Sequence, residues 1–132
     1  MPMATGGSNM KMLLVDDSRT MRSIEKKILE SFGNVEFTEA SDGLEALKAI
    51  EANPQGFDLI LIDWNMPNMS GIALVGRIRQ ADKKTPLIMI TTESEKSRIL
   101  EAIKAGVNNY ALKPFTPDVL LEKVKRTLGT AA

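Results

Sequence analysis

The sequence has no cysteine and no histidine. The first absence excludes a disulfide framework and a thiolate metal site. The second removes the commonest acid/base group and the commonest transition-metal ligand. Any metal here must be held by oxygen, which points to Mg²⁺, Ca²⁺ or Mn²⁺. Charge of one sign is also missing. Lys plus Arg and Asp plus Glu number 17 each, so net charge gives no pull toward nucleic acid or an anionic membrane. Aromatics are few, with one Trp, one Tyr and four Phe. No apolar run is long enough to span a bilayer.

What remains is ordinary globular composition, 43% hydrophobic and 26% charged, in 132 residues, the size of one domain with no separate output domain expected. Residues Met1 to Met10 are small and polar and lack an apolar signal core. They read as a disordered leader or an expression remnant, with Met10 a candidate start and a domain over residues 11–130. A cytoplasmic protein is the simplest expectation.

From Lys11 onward, short apolar runs alternate with amphipathic ones. Strands are predicted at Met12 to Val15, Val35 to Glu39, Leu59 to Ile62, Leu87 to Ile90 and Asn109 to Leu112. The second, alternating run reads as a half-exposed edge strand. Helical stripes follow each: Met21, Ile24, Ile28 and Phe32; Leu44, Leu47 and Ile50; Ile72, Val75 and Ile78; Ile99, Ala102 and Ile103; Leu120, Leu121, Val124 and Leu128. Gly33-Asn34, Asn53-Pro54-Gln55-Gly56, Gly106 and Gly129 supply stops. The pattern is α/β, (βα) repeated five times. Helical crossovers make the strands parallel, in an open doubly wound sheet whose ligands bind beyond the strands' carboxyl ends.

The residues at those ends carry the chemistry. The first strand ends in Asp16-Asp17, the third in Asp63, the fourth in Thr91 and the fifth in Lys113-Pro114. A parallel sheet gathers all of them at one edge. Crowded carboxylates repel one another, and a hard divalent cation such as Mg²⁺ relieves this. A carboxylate can also act as the nucleophile toward phosphorus, giving an aspartyl phosphate without a general base. Thr91 can donate to a phosphate oxygen, and Lys113 can hold a fixed positive charge. Singly, each residue has a plainer reading. Asp17 reads as a helix cap, Asp63 as a turn cap, Thr91 as a strand-end hydroxyl and Lys113 as a loop lysine. Their coincidence at one predicted edge favours the functional set.

Asp16-Asp17, Asp63-Trp64-Asn65-Met66-Pro67, Thr91 and Lys113-Pro114-Phe115, in this order, resemble the receiver domains of two-component response regulators. The resemblance covers nearly all of Lys11 to Gly129. It is nearest to the single-domain chemotaxis type, through Trp64-Asn65-Met66-Pro67, Thr91-Thr92-Glu93 and Tyr110 with Lys113-Pro114-Phe115-Thr116. It implies a flavodoxin-like strand order 2-1-3-4-5. It also implies that Asp63 is the phosphorylation site and that Mg²⁺ is held by Asp17, Asp63 and the Asn65 backbone carbonyl, with Asp16 acting mainly through bound water. Lys113 would contact the phosphoryl group, and its bond to Pro114 would be cis. Thr91 and Tyr110 would form a switch pair, and Asn65 and Glu93 would tune access of hydrolytic water.

The resemblance further implies a histidine kinase as donor and an output face on the fourth helix, fifth strand and fifth helix. That face would bind a protein target such as a flagellar motor switch, with no nucleic acid and no membrane involved. A monomer is expected, not an enzyme in the ordinary sense but a phosphoacceptor that catalyses its own phosphotransfer and autodephosphorylation. Two departures from the family pattern stand out. Ser70 precedes Gly71 where Asp is frequent, a change that a capping Ser tolerates. Thr92 stands where a smaller residue is frequent, a bulkier group for small phosphodonors to pass. Two alternatives stay open. A small Mg²⁺-dependent aspartyl-phosphate phosphatase would share the site, although Asn65 replaces the second carboxylate such an enzyme uses. A flavin module would need a phosphate loop where Asp16-Asp17 stand.

Overall fold

The computed structural model describes residues 10–129. Five strands and five helices alternate: β1 (Met10–Val15), α1 (Arg19–Leu29, extended by a 3-10 turn at Glu30–Phe32), β2 (Val35–Ala40), α2 (Gly43–Ala52), β3 (Leu59–Asp63), α3 (Gly71–Ala81), β4 (Leu87–Thr91), α4 (Lys96–Ala105), β5 (Asn109–Leu112) and α5 (Pro117–Leu128). All neighbouring strands are parallel and the order is β2-β1-β3-β4-β5. The flavodoxin-like order implied by the resemblance is the one found. The expected leader lies outside the described residues except for Met10, which opens β1.

Burial follows from topology. The central strands β3 and β4 are buried at every position, because helices cover both faces. Strand β2 is an edge strand, half-exposed as its alternation predicts. On one face Leu13, Val15, Ile60, Ile62 and Met89 pack against α2, α3 and α4 through Ala46, Leu74, Val75, Ile78 and Ala102. On the other, Met12, Leu14, Leu61, Ile88 and Ile90 pack against α1 and α5 through Leu29, Leu120 and Val124.

Local chemistry sets the helix ends. Ser18, Asp42, Ser70 and Thr116 each accept a backbone N–H from the first turn of the helix they cap. Helix α5 adds Pro117 in its first turn and closes on Gly129 in the left-handed region. Helix α4 has no side-chain cap, and Ala102 is its only buried residue. The predicted stripes are partly displaced. Ile24, Leu44 and Ile103 are 44%, 52% and 47% exposed. In α1 the buried positions are Glu25 and Leu29. The inward face of α1 is thus rotated from the apolar stripe, and it carries a carboxyl toward the strand ends.

Candidate functional site

Strand register delivers the site. Val15 pairs with Ile62 and Asp63 with Ile90, so β1, β3 and β4 end at one level. One carboxylate oxygen from each of Asp16, Asp17 and Asp63 lies within 4.8 Å of the others. Asp16 and Asp63 are 1% and 4% exposed. Asp17 faces solvent.

The capping alternative for Asp17 fails, because Ser18 is the cap of α1 through its hydroxyl. Asp16 Oδ1 accepts the Ser18 N–H at 2.8 Å, leaving Oδ2 buried without a hydrogen-bond partner. The Arg22 guanidinium donates to the Asp16 carbonyl and, at 2.8 Å, to Glu39 on β2, holding this strand end in place.

Lys113 reaches in from the end of β5. Its Nζ donates to Asp63 Oδ1 at 3.0 Å and lies 3.7 Å from Asp16 Oδ2, too far for a hydrogen bond. The Lys113–Pro114 bond is cis, as the resemblance implies. Lys113 N–H also donates to the Thr91 carbonyl at 2.8 Å, fixing the β5 end against β4.

The electrostatics are those of a site short of positive charge. Burial pushes the Asp63 carboxyl up, and the Lys113 hydrogen bond only partly offsets this. Burial likewise raises Asp16. Burial works to lower Lys113, but the hydrogen bond and charge of Asp63, with the charges of Asp16 and Glu25, outweigh it and its pKa rises. Acids and ammonium alike retain protons more tightly than usual. Glu25, buried on α1 behind these groups, is pushed up to about 8, chiefly by burial and then by Asp16. An excess of buried carboxylates with an orphaned oxygen fits a small divalent cation held by oxygen.

The other expected residues are placed as follows. Thr91 is buried at the β4 end, where its hydroxyl accepts the Glu93 N–H at 2.9 Å. Tyr110 is half-buried on β5, in register with Met89, with Lys123 Nζ 4.8 Å from its ring centroid. Glu93 accepts the Glu95 N–H at 3.1 Å and lies 4.0 Å from Arg98. Asn65 lines an open cleft of about 520 Å³ together with Asp17, Trp64, Ser70, Arg98 and Glu101.

Gly71 keeps the loop after Asp63 tight. Its N–H donates to the Trp64 carbonyl at 2.8 Å, and a Cβ there would overlap the Asp63 carbonyl oxygen and sit 2.8 Å from Trp64 Cα. Three site-adjacent residues lie outside the strand-end pattern of the sequence: Arg22, Glu25 and Arg98. Only Glu25 left a signal, a charge at i−4 from buried Leu29 on the inward face of α1.

Fold and site together define a doubly wound α/β protein with an acidic, lysine-bearing pocket at its strand ends. The profile of the response regulator receiver domain matches residues 12–125, and the chain belongs to that family. Its relatives include the chemotaxis protein CheY1 of Helicobacter pylori, 49% identical over 123 residues, which cover 92% of this chain and 98% of the relative. The CheY homolog of Campylobacter jejuni is 48% identical over 126 residues, covering 93% and 95%. Among solved structures, the chemotaxis protein CheY4 of Vibrio cholerae superposes with a TM-score of 0.83 at 35% identity, covering 91% of this chain and 99% of the other. These likenesses support a signalling role in chemotaxis for the chain.

Proposed function

We propose that this protein is a phosphorylation switch in which Asp63 accepts a phosphoryl group from a histidine kinase. The observation that carries the reading is the meeting of Asp16, Asp17 and Asp63 within 4.8 Å while Lys113 grips Asp63 at 3.0 Å. An Asp63 carboxylate oxygen attacks phosphorus in line. The new O–P bond forms as the P–N bond to the donor imidazole breaks, and the imidazole leaves with the electron pair. Asp16, Asp17, Asp63 and the Asn65 carbonyl would hold Mg²⁺, which when bound would supply charge neutralisation to the carboxylates and the transferring phosphoryl group. Lys113 remains on Asp63 and offers further N–H donors to the phosphoryl oxygens.

Phosphorylation places a group of close to two negative charges beside Thr91 where the carboxylate carried one. The Thr91 hydroxyl, now occupied with Glu93 N–H, is a donor that a phosphoryl oxygen can recruit. Tyr110, on the neighbouring strand, follows toward the space Thr91 leaves, which biases a two-state equilibrium. The responding surface is α4-β5-α5, where Ile103, Leu112 and Val119 are exposed apolar side chains. Such a surface suits a protein target, and the chemotaxis relatives make a flagellar motor switch the candidate. No helix among the described residues is long and apolar enough to cross a membrane. The cytoplasm is the compartment in which such a kinase and target would meet this chain.

The test is transfer of radiolabelled phosphate from a phosphorylated histidine kinase. One phosphoryl group per chain is expected, lost in Asp63→Asn and on chelation of Mg²⁺, with the circular dichroism of the variant unchanged. Undiminished labelling of the folded Asp63→Asn protein would remove the assignment.

A further inference from the structure

Beside Asp63 the cleft of about 520 Å³ opens to solvent. Its wall is acidic at Asp17 and Glu101, and Arg98 is the one cation among the described residues lining it. The other cations near these carboxylates are engaged: Lys113, only 20% exposed, with Asp63 and Asp16, and Arg22 with the Asp16 carbonyl and Glu39. A dianion approaching Asp63 from solvent therefore meets three convergent carboxylates. Beyond a divalent cation held by those carboxylates, the side-chain positive charge facing it across the cleft is Arg98, 45% exposed.

Arg98 is held beside the acceptor. Its guanidinium carbon lies 4.8 Å from the centroid of the Trp64 ring. Trp64 follows Asp63 directly and is 5% exposed, so this cation–π contact rests on a fixed platform. The remaining contacts are weak. Glu93 is 4.0 Å away and Glu101 3.4 Å, and both partners are exposed. Most of the guanidinium's five N–H donors are uncommitted within the described protein, and its planar fork suits two phosphate oxygens at once.

We propose that Arg98 is a specificity-determining residue that docks small anionic phosphodonors of the acyl phosphate class and positions them for attack by Asp63. The inference rests on Asp63 being the phosphoacceptor. In the step it serves, an Asp63 carboxylate oxygen forms a bond to phosphorus and the P–O bond to the acyl group breaks. The electron pair leaves on the acyl oxygen, releasing a carboxylate. No proton transfer and no redox partner is needed. Glu93 and Glu101 give up Arg98 at little cost, and the Trp64 face keeps the guanidinium from drifting away.

The experiment uses radiolabelled acetyl phosphate with Mg²⁺ at varied donor concentration, on the wild-type chain and on Arg98→Gln and Arg98→Lys. At low donor concentration, Arg98→Gln is expected to lose roughly tenfold in rate, in the donor-affinity parameter and not in the plateau rate. Arg98→Lys recovers only part of the rate, because it keeps the charge but loses the planar fork. Added salt brings the wild type toward Arg98→Gln. Transfer from a phosphorylated histidine protein, which docks through its own surface, changes less than about twofold.

Equal rates for wild type and Arg98→Gln would overturn the inference, as would a fall in plateau rate with donor affinity unchanged. Labelling by the histidine donor with none by acetyl phosphate would also overturn it while leaving Asp63 as acceptor. If neither donor labels the wild type, the phosphoacceptor reading itself has failed.

Discussion

Replacing Glu25 with Gln should stabilise the protein, and by an amount that grows with pH. Glu25 is 1% exposed on the inward face of α1, with no ion-pair partner among the described residues. Its pKa rises from an ordinary 4.5 to about 8, first through burial and then through Asp16 and Asp63, against the pull of Lys113 and Arg22. The folded protein therefore keeps this proton across a range in which the unfolded chain releases it. Below pH 4.5 both states are protonated and the group contributes nothing. Between 4.5 and about 8 the folded state binds more protons, so stability falls as pH rises.

Each pH unit in that window costs about 1.4 kcal/mol. The loss reaches about 3 kcal/mol at pH 7 and about 5 kcal/mol once pH passes the folded value of about 8. Gln has the shape of the neutral acid and does not titrate. Urea unfolding of wild type and Glu25→Gln, followed by Trp64 fluorescence and circular dichroism under chelation, reads the difference. The stability gap should widen by about 1.4 kcal/mol per pH unit across the window and level off above it. Because loss or gain of a hydrogen bond by Gln shifts the whole curve equally, the slope carries the test. A gap that stays constant with pH would refute the argument.

The Arg79 guanidinium donates to the carbonyls of Gly106, Asp82 and Thr85 and to Asn108 Oδ1, so it ties α3 to the turn before β5. Arg79→Ala should cost ~2–4 kcal/mol in urea unfolding, and a loss below half a kcal/mol would contradict its role as a staple. Gly71→Ala should destabilise by ~1–3 kcal/mol, because the added methyl meets the Asp63 carbonyl and Trp64 Cα; an unchanged melting curve would mean that the loop yields. Lys113→Ala removes the ammonium that competes for Asp63 and Asp16, so Mg²⁺ affinity measured by calorimetry should rise by roughly three- to tenfold. Since burial raises both Asp16 and Asp63, Mg²⁺ binding should release protons and strengthen as pH rises, a release read from binding heats in buffers of different ionisation enthalpy.

Strand ends were the legible part of this molecule. Five apolar runs separated by helical stripes force parallel crossovers, and parallel crossovers put Asp16, Asp17, Asp63, Thr91 and Lys113 at one edge whatever the helices do. Strand order was not legible from spacing and came through the resemblance. Helix faces were read less well. Ile24, Leu44 and Ile103 continue apolar stripes but stand exposed, because only part of each helix circumference meets the sheet. Glu25 is hard to read from the sequence because a charge on an inward face is rare, and what it faces is set by distant residues. Arg98 had no local signal, since its place is defined by the ring of Trp64, brought near by tertiary packing. The capping role went to Ser18 and not Asp17, a one-residue distinction that decides whether Asp17 is free for a cation.

The central claim is tested most directly by titrating Mg²⁺ while following Trp64 fluorescence, then adding acetyl phosphate. Two successive saturable responses are expected in the wild type. Asp17→Asn should weaken the first at least tenfold, and Asp63→Asn should abolish the second. An Mg²⁺ response unchanged by both substitutions would contradict the account.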